Sequence, residues 1–131
     1  MIDVTLAGSP LVTAAVMRAA QYKSKHINIG VGTNGWASDT FPLITMPDVA
    51  TITSLKFYSF GGNGIVLNLE ERTNPNVAGT DILSTNTYFT TGGVEVTSFA
   101  NAGIAAGATI TLTSDSVTGD VQSVIGYIKW E

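Results

Sequence analysis

The 131-residue chain carries ten acidic and six basic side chains, one histidine and no cysteine, for a net charge of −4. That balance argues against a nucleic-acid binder, which would show a basic patch or stripe. The missing thiols exclude a disulfide framework, a Cys-ligated zinc site and a thiol nucleophile. Charged residues make up only 12% of the chain, about half the usual share, with Thr, Ser, Asn and Gly in their place. Such a mixture suits strands and turns better than solvated helices. The length suits one domain with its own core.

The first 25 residues differ in character from the rest. They hold Arg18, Lys23 and Lys25, His26 follows directly, and no acid lies between Asp3 and Asp39. Met1-Ile2-Asp3-Val4 lacks the basic start of an export signal, and Thr13 and Arg18 interrupt the apolar stretch 11–20. Neither a signal peptide nor a membrane span is therefore expected. Ser9-Pro10 is a helix-start pair, an N-cap hydroxyl followed by a proline that loses nothing at the first helical position. Residues 1–25 thus read as an N-terminal arm or short helix that either packs against its own domain or orders on a partner, with Arg18, Lys23 and Lys25 meeting acidic surface.

From His26 onward, strand-like segments alternate with turn signals. In 26–32 (HINIGVG) the two-residue period puts Ile27, Ile29 and Val31 on one face. Asn34-Gly35 is a tight-turn dipeptide, with Trp36 directly after it. Residues 41–46 form a short strand between Pro42 and Pro47, and 50–60 (ATITSLKFYSF) follows. Its pattern places Thr53, Leu55 and Phe57 on one face and Lys56 and Tyr58 on the other. After Gly61-Gly62-Asn63-Gly64, segment 65–70 turns Ile65, Leu67 and Leu69 inward and leaves Asn68 and Glu70 to water. Residues 71–81 read as a loop.

Segments 82–90 and 94–99 flank Gly92-Gly93 as a hairpin, and 108–113 alternates Ile110 and Leu112 with threonines. Residues 114–120 form a polar loop. The last segment, 121–130, is apolar on both faces, as a central strand or one covered by a neighbouring subunit would be. About eight strands with Gly-rich turns predict an all-β protein. The expected architecture is an antiparallel β-sandwich over residues 26–131, with the jelly roll as the natural topology.

Chemistry-bearing constellations are sparse. A Ser-His-Asp arrangement would need His26 as base, and no Gly-x-Ser-x-Gly elbow accompanies it. Glu70 and Glu71 are adjacent, so in a strand they point to opposite faces and cannot act as a glycosidase pair. Asp115 and Asp120 lack the spacing of an EF-hand. Gly61-Gly62-Asn63-Gly64 lacks the Lys and the following helix of a phosphate loop. No enzyme activity, metal or cofactor is expected. Trp36, Tyr58, Tyr88, Tyr127 and Trp130 are the aromatics available to stack on a sugar or anchor a partner.

The extended N-terminal arm, the low-charge Thr/Gly/Ala-rich body, the Asp48–Leu55 segment (DVATITSL), Ala106–Leu112 (AGATITL) and the final Val124–Glu131 (VIGYIKWE) together resemble small jelly-roll virion proteins of tailed bacteriophages. The capsid decoration, or cement, proteins are the nearest in kind. The resemblance implies a structural protein on the outer capsid surface, present in the host cytoplasm during assembly. It would bind the major capsid protein and stabilise the shell, as a homotrimer. It implies no role for nucleic acid or membrane. Arg18, Tyr22, Lys23 and Lys25 would then contact the shell, and Tyr127 and Trp130 would pack between subunits. Trp36 is a possible ligand or partner contact. The alternative is a carbohydrate- or receptor-binding β-sandwich module of a phage fibre.

Overall fold

The computed structural model describes residues 23–30 and 40–131. Most of the expected N-terminal arm, including Arg18 and Tyr22, lies outside the described residues, as do Val31 and Trp36.

β-branched and aromatic residues at alternate positions build ten strands: β1 (Ser24–Gly30), β2 (Thr40–Thr45), β3 (Ala50–Phe60), β4 (Gly64–Arg72), β5 (Thr80–Asp81), β6 (Thr87–Thr90), β7 (Val94–Val96), β8 (Gly103–Ile104), β9 (Thr109–Thr118) and β10 (Ser123–Trp130). One sheet runs β1-β10-β3-β7, with β8 also paired to β3. The other runs β2-β9-β4-β5, with β6 also paired to β4. Every pairing is antiparallel. Because β5 and β6 both border β4, and β7 and β8 both border β3, each pair acts as one interrupted edge strand. Eight strand positions remain in two four-stranded sheets, and the chain passes repeatedly from one sheet to the other. That order is a jelly roll. The all-β sandwich read from the sequence is the fold observed.

Several local expectations are corrected. Gly92-Gly93 does not close a hairpin: β6 pairs with β4 and β7 with β3, so the turn carries the chain from one sheet to the other. Of the expected strand 82–90 only Thr87–Thr90 is a strand, while Ile82 and Leu83 leave the ladder to plug the core, fully buried. Residues 114–118 extend β9 instead of forming a loop. Ser114 and Ser116 pair with Leu67 and Val66, so Asp115 is the extra residue of a bulge.

In β3 the register steps from Lys129–Ser54 to Trp130–Ile52. Thr53 is therefore a second bulge and stands exposed, with Ala50, Ile52, Leu55, Phe57 and Ser59 facing inward. The sequence pattern had put Thr53 beside Leu55, because strict alternation cannot anticipate an inserted residue.

The core lies between the inner faces of the two sheets. Leu55, Phe57, Val124 and Ile128 from one meet Ile65, Leu67, Leu69, Ile110 and Leu112 from the other, all at 0% exposure. The Phe57 and Phe89 rings meet across the sheets, with centroids 5.3 Å apart and planes tilted by 52°. At full burial each such side chain stabilises the fold by about 1.5–3 kcal/mol. Gly126, midway along β10, holds φ at 152°. A Cβ there would collide with the Lys56 carbonyl oxygen and come within 2.8 Å of Phe57 Cδ1. Glycine lets the two central strands approach each other beneath the Phe57 ring.

Candidate binding face

β10 is central, paired to β1 on one side and β3 on the other, so its non-core face forms the middle of an exposed sheet surface. The register fixes what stands there. One row across the sheet reads His26, Tyr127, Lys56, Glu95; its neighbours read Ser24, Lys129, Ser54 and Asn28, Ile125, Tyr58. Phe60 continues the outward face of β3 and is 58% exposed.

Within this surface each lysine sits over the tyrosine two residues away on its own strand. Lys56 Nζ lies 5.4 Å from the Tyr58 ring centroid, and Lys129 Nζ lies 5.1 Å from that of Tyr127. Both distances fall within cation–π reach. The Tyr58 hydroxyl and its charge raise the Lys56 pKa above its ordinary 10.5, with lesser contributions from Tyr127 and Glu95. Gly93 makes room for the Tyr58 ring: a Cβ at Gly93 would come within 2.7 Å of Tyr58 Cδ1. The tyrosine is thereby seated against the start of β7.

Charge is segregated between the two sheets. Strands β1, β3, β7, β8 and β10 carry three lysines (Lys25, Lys56, Lys129) against one acid, Glu95, and Lys23 leads directly into β1. Strands β2, β4, β5, β6 and β9 carry four acids (Glu70, Glu71, Asp81, Asp115) against one base, Arg72. That arginine is neutralised where it stands: its Nε donates to Glu70 Oε1 at 2.8 Å and its guanidinium also donates to the Pro75 carbonyl. Of the strand lysines, Lys56 and Lys129 stand on the outer aromatic face, with Glu95 as its one acid among the described residues, whereas Lys25 pairs with the buried Ile128 and has the opposite parity.

The predicted site residues are not all brought together. Lys25 is a β1 residue and not part of an arm, and it lies beside Ile128 in the register. Tyr127 is on the outer surface just described. Trp130 has the opposite parity on β10 and packs half-buried against the core at the end of the sandwich, so Tyr127 and Trp130 do not share one surface. Lys56 and Lys129 were missed as site residues, and Tyr58 was named only as one of five aromatics available to a sugar or a partner. Their signal was present as Lys-x-Tyr at 56–58 and Tyr-x-Lys at 127–129, but only the pairing of β3 with β10 places the two motifs side by side.

Other constellations are structural in their contacts. Glu70 and Glu71 do point to opposite faces: Glu70 binds Arg72 and the Gly79 amide, whereas Glu71 accepts from Asn101 Nδ2 at 2.8 Å and from the Ala105 amide at 2.7 Å. Glu70 is thus not left to water, and neither is Asn68, at 4% exposure. His26 shares its row with Glu95 only across three strand spacings, about 14 Å, too far for a carboxylate to orient it. No group of three or more His, Cys, Asp or Glu side chains able to hold a metal occurs among the described residues.

The sequence matches no protein-family model, and no curated protein is significantly similar to it.

Proposed function

We propose that this chain is a non-enzymatic structural protein of a virion, a capsid decoration protein that docks on the outer shell through the Lys56–Tyr127–Lys129–Tyr58 face. The observation that carries this reading is the strand charge: the three lysines within strands all lie on one sheet, and four of the five acids within strands lie on the other. The shell partner is then an acidic patch of the major capsid protein. Lysines steer the approach and tyrosines supply rigid apolar contact area, the division of labour common at protein interfaces. The acidic sheet is repelled by the same patch, so the molecule lands in one orientation.

A stable interface buries roughly 1,200 Å² or more in total. A homotrimer about a local three-fold axis would engage three copies at once and multiply a weak single contact. The jelly-roll body and the resemblance noted above support the same assignment. In the test, the purified chain is co-sedimented with shells of the encoding virus assembled without it. Saturable binding at a fixed number of copies per shell is expected. A chain that stays in the supernatant at every concentration, with shells that are otherwise intact, contradicts the proposal.

A further inference from the structure

A second feature lies at the end of the sandwich where β2 passes into β3, away from the lysine–tyrosine face. A cavity of about 230 Å³ opens there between Lys23, Pro47, Asp48, Val49, Trp130 and Glu131, over a base of Met46 and Ala50. Three stretches of chain converge on it and are pinned by backbone hydrogen bonds. The Trp130 amide donates to the Lys23 carbonyl at 3.1 Å, and Thr51 and Glu131 exchange two bonds of 2.9 Å each. Met46 donates to the Ala108 carbonyl at 2.9 Å and accepts from the Gly107 amide at 2.6 Å. These bonds fix the base and one wall, while Pro47, Asp48 and Val49 form the exposed turn between β2 and β3. Val49, 76% exposed, stands at the rim.

Aromatic and aliphatic surface here meets three charged side chains, Lys23, Asp48 and Glu131. Among the described residues, none of these three side chains makes a hydrogen bond or ion pair. That combination discriminates between occupants. An apolar side chain from another protein would strip water from three unpaired charges without replacing their hydrogen bonds, which is costly. A polyol ring replaces them: its hydroxyls donate to the two carboxylates and accept from the ammonium, while its C–H face lies on apolar wall. The volume is below the roughly 300–1,000 Å³ of pockets for drug-sized ligands, and so fits a single ring.

We infer that this cavity is a monosaccharide-binding site, with Trp130, Pro47 and Val49 as its apolar wall and Asp48, Glu131 and Lys23 as its hydroxyl-binding groups. The assignment is independent of shell docking, since it uses none of the residues of the lysine–tyrosine face. It would give the protein a second contact, to surface glycan, while the sheet face holds the shell.

The test is an NMR titration that follows the indole N–H signals, the Trp36→Phe variant assigning that of Trp130. Glucose, galactose, mannose and N-acetylglucosamine are added separately, each to about 50 mM, enough to saturate a millimolar site. At least one sugar is expected to shift the Trp130 signal saturably. Asp48→Asn, an exposed loop change that leaves the core untouched, should weaken that binding at least tenfold. Lys56→Glu/Lys129→Glu should leave it unchanged, which separates this site from shell docking. No saturable shift with any of the four sugars overturns the inference. So does equal binding by Asp48→Asn, or a Trp130 signal that responds only to protein concentration, the mark of a second copy filling the cavity.

Discussion

At Asn68 one carboxamide closes three hydrogen bonds. Its Oδ1 accepts from the Leu69 and Leu83 amides at 2.7 and 3.2 Å, and its Nδ2 donates to Asn86 Oδ1 at 3.0 Å. This ties the irregular segment after β5 to the middle of β4. Asn68→Leu keeps the volume but leaves two amides without their acceptor, so urea unfolding should show a loss of about 2–4 kcal/mol. Thr111 presents the opposite case: its hydroxyl is at 0% exposure and has no hydrogen-bond partner. Thr111→Val removes an unpaid desolvation at constant shape and should raise stability by about 1 kcal/mol in the same assay. Gly126→Ala sets a Cβ against the Lys56 carbonyl at a φ that L-residues avoid, and a loss of about 2–4 kcal/mol is expected. None of these three roles was legible in the sequence. Alternation marked Asn68 and Thr111 as outward, which they are. What covers them depends on chain returning from elsewhere.

Among the elements, those with strict period-two alternation were read correctly, and those with an inserted or missing residue were not. Ile65, Leu67 and Leu69 face inward as the pattern required, and β10 is the central strand its two apolar faces implied. The bulges at Thr53 and Asp115 shift the inward parity within β3 and β9, and local composition gives no sign of them. The turn at Gly92-Gly93 shows a different limit. Turn chemistry announces a reversal but not the partner, and here each arm pairs with a strand of a different sheet. Glu71 clasps the two sheets where β4 ends, reaching Asn101 and the Ala105 amide in the segment around β8. Glu71→Ala should release that segment. Amide exchange at residues 101–105 should quicken severalfold while exchange in β9 and β10 stays slow, because local opening need not follow global unfolding.

For the whole molecule, the arrangement of charge matters more than its sum. The net charge of −4 forecasts repulsion from any acidic surface, yet the sheet pairing brings Lys56 and Lys129 together on one outer face. That gathering could not be read from the sequence, because Lys56 and Lys129 are distant along the chain and become neighbours only through the β3–β10 register. Lys56, its pKa raised by Tyr58, stays charged below the ordinary lysine pKa and loses its proton only as pH climbs past the raised value. Shell binding is therefore expected to hold steady from roughly pH 7 to pH 9, when followed by co-sedimentation. The trimer predicts a solution or shell-bound mass of three chains by light scattering, and a monomer in both settings would remove that part of the account.

The most direct test of the account is the affinity of the chain for empty shells, measured for wild type and for Lys56→Glu/Lys129→Glu at low and at physiological salt. The account predicts at least a tenfold loss on charge reversal, and a wild-type affinity that weakens as salt screens the face. Equal affinity of the two proteins at both salt concentrations would contradict it, because shell contact would then not run through the lysine–tyrosine face.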